Sequence, residues 1–319
     1  MRISVTLCGL SLAVSAVSAV WAQDYPTKPI RVVVPVVAGG SPDVLGRLIA
    51  DRLRERWGQP VVIDNRAGAG QMIGADLVAK AAPDGYTLFL PTGTFTTSAA
   101  IQPKLPFDPM TDLTGVAMVG QGPLMLVVHP SLRVKTVKDL IALAKARPGE
   151  LNYGTAGTGS IIHFATEVFA ASADVNIVHV PYKSAAPAIT DLIGGHVQMM
   201  IISLPSVWPQ VKAGRLRAIA MSTAKRSSFA PELPTIAETL PGFEAGQWWG
   251  VLAPAKTPAS VISKLNEELN RILGSEDMKP RLAEQGAEPV LMTAEAFTRH
   301  LRSEIVKWRE VVKTRNIQH

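Results

Sequence analysis

Two glycine-rich segments of the chain carry residue types suited to holding an anion. The first is Ala-Gly-Gly-Ser-Pro-Asp at positions 38–43, and the second is Gly-Thr-Ala-Gly-Thr-Gly-Ser at positions 154–160. Each follows an apolar segment and precedes a helical pattern, so each should link the end of a strand to the start of a helix. The first N–H groups of a helix have no intrahelical acceptor and lie at the positive end of its dipole. Both segments therefore predict backbone binding of a small anion.

The first segment also has the details of a helix start. Ser41 is the expected N-cap, with Pro42 at the first helical position and Asp43 in the first turn. Arg47 follows Asp43 by four residues, so the two side chains are expected to pair with each other. The alternative is that the glycines only make a tight turn. Repetition of the same device in the second segment favours anion binding.

Further polar residues fall near the ends of predicted strands. Positions 91–94 (Pro-Thr-Gly-Thr) form a third small polar loop, and ligands of open α/β sheets lie at the carboxyl ends of the strands. His163 either lines the pocket or packs as a hydrogen-bonded interior residue. Lys183 either complements a carboxylate or is simply exposed. Tyr182 and Trp248 either line the cleft or pack at a hinge.

Enzymatic interpretations find weaker support in the residues. Ser160 and His163 do not form a nucleophile and base, because the segment is not a G-x-S-x-G turn. Asp64 ends a predicted strand about 24 residues after Gly40, near the place of a ribose-binding acid, but the loop lacks G-x-G-x-x-G. A dinucleotide-dependent oxidoreductase is thus a minor alternative. No histidine spacing is typical of a metal site, and we predict neither a metal nor a cofactor.

The order of elements predicts an α/β protein with two lobes. Strands alternate with helices in both halves of the chain, which indicates mainly parallel sheets flanked by helices. Segments near 124–130 and 248–254 are the expected crossings between lobes, and the chain exceeds the roughly 250–300 residues at which single cores stop growing. The predicted organisation is a signal peptide over 1–22, lobe 1 over 23–124 and 249–319, and lobe 2 over 125–248.

The N-terminus and the charge pattern bear on location and partners. Residues 1–22 combine Arg2, an apolar stretch and a small-x-small site ending at Ala22, so we predict an exported, periplasmic protein cleaved near Ala22. The single cysteine, Cys8, lies in this segment, so no disulfide is expected. The net charge of +6 has no clustered basic stripe, which argues against nucleic acid as a partner. No later apolar stretch of ~20 residues is present, and the mature chain is predicted to be soluble.

Several motifs match one known family in order. They are Pro35 to Asp43, Asp64 to Gly70, Ala82 to Leu88, Gly154 to Ser160 with His163, His179 to Lys183, Pro234 to Glu238 and Trp249 to Pro254. Together they resemble the Bug (TctC-like) family of extracytoplasmic solute receptors of tripartite tricarboxylate transporters. The resemblance implies a type II periplasmic-binding-protein (Venus-flytrap) fold that closes on a small mono-, di- or tricarboxylate. It also implies delivery of that ligand to a two-component membrane permease, by a chain we expect to be a monomer without a cofactor.

The resemblance places the ligand between the first loop and the glycine loop of the second lobe. Carried over, the ligand-binding residues are Gly39, Gly40 and Ser41 on one side and Thr155, Gly157, Thr158, Gly159 and Ser160 on the other. The rim positions add Thr92, Thr94, His163, Tyr182 and Lys183. This sequence departs from the family pattern at Val36, Gln71, Ser184 and Ser203; Ser203 stands where an aspartate is common, and we include it among the ligand-binding residues. A ligand-sensing adaptor of the same fold is the alternative function.

Overall fold

The computed structural model describes residues 25–227, 229–315 and 317. The predicted signal peptide, residues 1–22, lies outside these ranges and stays a prediction. The strands are β1 (Ile30–Val34), β2 (Val61–Asn65), β3 (Thr87–Phe89), β4 (Leu113–Val128), β5 (Asn152–Thr155), β6 (Val178–Pro181), β7 (Met199–Ser203), β8 (Arg217–Met221) and β9 (Gly246–Pro254). The helices are α1 (Ser41–Trp57), α2 (Met72–Ala79), α3 (Gly93–Ile101), α4 (Val137–Ala146), α5 (Ile161–Ala173), α6 (Ala185–Ile193), α7 (Leu204–Lys212), α8 (Ala259–Leu273), α9 (Met278–Glu284) and α10 (Ala294–Arg315).

One long strand, β4, joins two halves of the sheet. The strand order is β2-β1-β3-β9-β4-β7-β5-β6, with β8 also paired to β4. Residues 113–123 of β4 pair with β9, whereas residues 124–128 pair with β7 and β8. The pairs of β1 with β2 and β3, and of β5 with β6 and β7, are parallel. The first predicted crossing, 124–130, therefore begins in the second part of one continuous strand, and the predicted return crossing, 248–254, lies in β9.

Apolar side chains fill both faces of this sheet. Neighbouring residues of a strand point to opposite faces, and Trp248 and Trp249 on β9 accordingly belong to two different core clusters of the first half. Both indoles are buried, with 3% and 1% of their surface exposed. The second half has its own cluster around β4, β7 and α5. This α/β architecture with two core-bearing halves confirms the predicted fold class.

The C-terminal helix α10 contacts both halves. Phe297 and Leu301, near its start, belong to a core cluster of the first half. Trp308, further along, belongs to the core of the second half, where its ring meets Phe164 with centroids 5.4 Å apart. Helix α10 therefore packs against the cores of both halves. The lobe bounds at residues 124 and 248 stay predictions.

Candidate functional site

Helices α1, α3 and α5 begin at the carboxyl ends of β1, β3 and β5. Because β1 and β3 are parallel neighbours, their following loops share one rim of the sheet. Helix α3 reaches the second glycine loop directly. The hydroxyls of Thr97 and Ser98 donate to the carbonyl oxygen of Gly159 at 2.7 and 3.3 Å, and the N–H of Ile161 donates to Thr94 Oγ1 at 3.3 Å. The third polar loop and the second glycine loop are therefore brought together.

The first loop differs in detail from its prediction. Gly40, with φ −69° and ψ 156°, is the N-cap of α1, so the prediction of Ser41 as N-cap is wrong. The carboxylate of Asp43, instead of the Ser41 hydroxyl, accepts a hydrogen bond from a loop N–H, that of Gly39, at 2.9 Å. The N–H of Gly40 donates to the carbonyl of Val37 at 3.3 Å. Within the described residues the N–H and the buried hydroxyl of Ser41 have no hydrogen-bond partner.

The buried carboxylate of Asp43 and its partners hold this loop in place. Asp43, 2% exposed, accepts from Arg47 Nε at 2.9 Å and from Asn65 Nδ2 at 2.9 Å, which confirms the predicted pairing with Arg47. Asn65 Nδ2 also donates to the carbonyl of Val36 at 3.0 Å. Burial opposes ionisation of Asp43, but the bonds from Arg47, Gly39 and Asn65 outweigh it and hold the pKa of this carboxyl below its usual value. Its negative charge is consequently matched within the loop.

The second loop depends on two glycines in the left-handed region. Gly157 has φ 106° and Gly159 has φ 83°, conformations that L side chains rarely adopt. Ser160 is the N-cap of α5: its hydroxyl accepts from the N–H of His163 at 3.3 Å and donates to the carbonyl of Gly157 at 2.7 Å. The loop therefore folds back onto the start of its own helix.

Most N–H groups of this loop are used internally. The N–H of Gly157 donates to Thr155 Oγ1 at 3.2 Å, and the N–H of Gly159 donates to His163 Nδ1 at 3.3 Å. Thr158 is exposed, and its N–H has no acceptor among the residues that the structure describes. Within the described residues, the backbone N–H groups of the two glycine segments that have no acceptor therefore include those of Ser41 and Thr158, and also those of Ala38 and Ala156.

A second buried layer lies behind the glycine loop. His163 stacks on His179 with ring centroids 4.1 Å apart, and His179 stacks on Tyr153 at 5.1 Å. Burial, with a smaller contribution from His179, lowers the pKa of His163 to about 3, and burial lowers the pKa of His179 to about 4. Both imidazoles are neutral near pH 7. The structure thus places His163 in the interior, at 4% exposure.

The loop after β3 is fixed by a paired hydrogen bond. Thr92 is the N-cap of α3. Gln71 Nε2 donates to Thr92 Oγ1 at 2.6 Å, and the N–H of Thr92 donates to Gln71 Oε1 at 3.0 Å. Gln71 itself has φ 77°, a conformation that glycine adopts without strain and other residues rarely adopt. The two hydrogen bonds to Thr92 offset the backbone strain of a residue other than glycine at this position.

The remaining predicted site residues lie at different depths. The hydroxyl of Tyr182 donates to Asp191 at 2.6 Å, and burial together with this bond raises the pKa of Tyr182 to about 12. Lys183 is exposed and forms no ion pair within the described ranges. Ser203 ends β7 half-buried, and its side chain does not cap α7. Trp248 packs in the interior, edge-on to Phe297.

Sequence reasoning missed several residues that shape the site. They are Asn65, Thr97, Ser98 and His179. The hydroxyl residues Thr94, Thr96, Thr97 and Ser98 were a usable signal, because they directly follow a predicted rim loop. No hydrogen bond in the described part of the chain joins the first loop to the second glycine loop, and no group of three metal-ligating side chains occurs there.

Two core-bearing halves of a sheet joined by the long strand β4, with helices α1, α3 and α5 beginning after β1, β3 and β5, are the features of a two-lobed solute-binding receptor. The chain belongs to the TctC family: the model of the tripartite tricarboxylate transporter family receptor matches residues 45–317. Members of this family are extracytoplasmic receptors and not enzymes, which confirms the non-enzymatic prediction. No helix among the described residues is long and apolar enough to cross a membrane.

Named relatives and solved structures agree with this assignment. Protein BugT of Bordetella pertussis is 40% identical over 309 residues, covering 96% of this chain and 95% of BugT. The structure of R. palustris Rpa4515 with adipate has a TM-score of 0.84 and 42% identity, covering 92% of this chain and 99% of its own. MatC (Rpa3494) from Rhodopseudomonas palustris with bound malate has a TM-score of 0.81 and 31% identity, covering 90% and 100%.

Proposed function

We propose that this protein is a periplasmic receptor that captures a small mono-, di- or tricarboxylate between its two lobes. It then delivers the ligand, as a monomer, to the two-component permease of a tripartite tricarboxylate transporter. The observation that carries the proposal is the pair of open donors, Ser41 N–H and Thr158 N–H, at the starts of two helices on the sheet rim. Adipate and malate in the two similar structures support the same ligand class.

The geometry refines how a carboxylate would be held. The N–H groups of Gly39, Gly40, Gly157 and Gly159 already have acceptors within their loops, so the glycines shape the loops and the neighbouring residues bind. Hydrogen bonds from backbone N–H groups to a carboxylate are charge-assisted and need no arginine. Because Asp43 is neutralised by its partners, the first loop adds little repulsion toward an anion. Exposed Lys183 contributes only a screened charge.

The ligand class is tested by a thermal-shift panel on the purified mature protein. The panel contains adipate, malate, citrate, nicotinate, acidic amino acids, a neutral sugar and a cationic amine. A ligand at a hundredfold excess over its Kd should stabilise the protein by about 2.7 kcal/mol and raise Tm accordingly. A shift produced by the sugar or the amine, with none from any acid, would show that the ligand class is wrong.

Calorimetric titration of the best acid then tests the mode of binding. Ser41→Ala and Thr158→Ala keep both backbone donors and should bind within about tenfold of the wild type, since each loses one hydroxyl. Lys183→Ala should lose at most ~1 kcal/mol. If Lys183→Ala alone abolishes binding, a side-chain ion pair replaces the backbone clamp. Delivery is measured separately, as uptake of the labelled acid by permease-containing vesicles with and without the receptor.

A further inference from the structure

The three stacked rings behind the second glycine loop have no role in the proposed contacts with ligand. They come from two neighbouring strands and one helix: Tyr153 and His179 are register partners on β5 and β6, and His163 lies in the first turn of α5. The His163 and His179 rings are nearly parallel, with an interplanar angle of 18°. A stack of this kind fixes the position of both imidazoles.

Each imidazole nitrogen that faces the loop is bonded to it. His163 Nδ1 accepts the N–H of Gly159 at 3.3 Å. His179 Nε2 lies 2.7 Å from Thr155 Oγ1, which in turn accepts the N–H of Gly157 at 3.2 Å. The two glycines with positive φ, on either side of Thr158, are therefore both tied to the stack. The N–H of Thr158, which has no acceptor among the described residues, lies between the two bonded N–H groups of Gly157 and Gly159.

The groups around the stack favour the tautomer that this bonding needs. Nδ1 of His163 can accept a hydrogen bond only if the ring proton is on Nε2. His163 Nε2 faces the carboxylate of Glu167 at 3.9 Å, and the hydroxyl of Tyr153 donates to the same carboxylate oxygen. A carboxylate beside Nε2 stabilises a proton there. His179 is the other titratable group against the ring, and burial keeps both imidazoles neutral near pH 7.

We infer that His163 and His179 are positioning residues that hold the second glycine loop in its binding conformation without touching the ligand. His163 does so as an acceptor at Nδ1, and His179 through the hydrogen bond between Nε2 and the Thr155 hydroxyl. This inference rests on the proposed carboxylate function, since it assigns the loop's conformation to that binding step. His163 is thus assigned to the residues that hold the loop, and no longer to those that contact the ligand.

Matched variants at His163 separate the acceptor from the ring. His163→Asn keeps an acceptor at the place of Nδ1 but loses most of the ring, whereas His163→Leu fills more of the space and has no acceptor. We expect His163→Leu to raise the Kd for adipate or malate roughly tenfold or more, because a buried N–H loses its partner. We expect His163→Asn to stay within about threefold of the wild type despite its poorer packing.

A second readout does not depend on any ligand. The amide of Gly159, followed by 15N-edited NMR, should exchange with solvent at least about tenfold faster in His163→Leu than in His163→Asn. If the wild type binds no carboxylate, the proposed function fails, while the exchange rates still decide whether His163 holds the loop. Equal exchange in the two variants, or equal loss of affinity, would overturn the inference.

His179 provides an independent pair of variants should His163→Leu fail to fold. His179→Gln retains a polar atom near the place of Nε2, and His179→Leu does not. We expect the Leu variant to weaken adipate or malate binding at least about fivefold more than the Gln variant. We also expect it to shift the amide resonance of Gly157. Equal binding and an unshifted Gly157 resonance would remove His179 from the support.

Discussion

Replacing Gly159 with alanine isolates the conformational requirement of the second glycine loop. The φ of 83° costs an L-residue about 1–2 kcal/mol. The added Cβ would also lie 3.3 Å from Ile101 Cγ2 and 3.3 Å from Ser98 Oγ, both on α3. Contacts this short require α3 or the loop to shift by a few tenths of an ångström. The substitution should therefore both destabilise the fold and displace the loop.

Gly242 offers a matched control. It has the same φ of 83°, and a Cβ added there meets nothing within 4 Å. Gly242→Ala and Gly159→Ala should each lose about 1–2 kcal/mol of unfolding free energy, with a decrease in Tm of about 2–4 °C per kcal/mol. Only Gly159→Ala should weaken binding of adipate or malate, by about tenfold if ~1.4 kcal/mol of loop displacement opposes the bound state.

Urea denaturation and calorimetric titration of both variants provide the two measurements. The comparison holds backbone strain constant, so a difference in Kd reports on the loop. Equal Kd values for the two variants, at equal loss of stability, would refute the argument that the close contact of Gly159 with α3 sets the loop for binding.

Three other predictions follow from buried groups and from the lobes. The unfolding free energy should reach its full value above about pH 6.5 and fall toward pH 4, because the unfolded chain protonates His163 and His179 while the folded chain does not. His163 alone should account for a loss of about 2 kcal/mol at pH 5. A urea midpoint that stays constant between pH 7 and pH 5 would contradict this prediction. Gln71→Ala should lower the unfolding free energy by about 1–3 kcal/mol, because Thr92 loses two buried hydrogen bonds. In urea denaturation, Gln71→Gly should recover about 1 kcal/mol of this loss, because glycine adopts the positive φ without strain. A Gly variant no more stable than the Ala variant would contradict the strain argument. Adipate or malate at saturation should reduce the radius of gyration in small-angle scattering, and unchanged scattering would indicate a preformed rigid pocket.

Local signals in the sequence were sufficient for most elements and for two of the helix starts. Thr136 begins α4 with a capping box to Asp139, and Ser160 caps α5, as the residue types predict. Strand β1 ends at Val34, although the apolar run continues to Val37, because Pro35 has no N–H to continue the ladder. These features depend on a few consecutive residues, so pattern reading recovers them.

Features that depend on tertiary contacts could not be read in this way. Helix α3 was not predicted, because its β-branched Thr residues have low helix propensity and it is held by packing against α10 and by bonds to Gly159. The partner of His163 is His179, and only the register of β5 with β6 and the placement of α5 bring the two rings together. The same contacts decide which loop N–H groups have no acceptor. The sequence alone therefore could not show that the N–H groups of Ser41 and Thr158 are open while those of the neighbouring glycines are bonded.

The C-terminal helix limits how the two lobes can move. Phe297 is seated in the first core and Trp308 in the second, so α10 is a third mechanical link beside β4 and β9. A helix of 22 residues is stiff, with a length of ~33 Å, and resists both bending and stretching. Any relative motion of the two halves must therefore move α10 against at least one of the two cores. Cutting the chain after Phe297 would remove the covalent connection between these two anchoring residues.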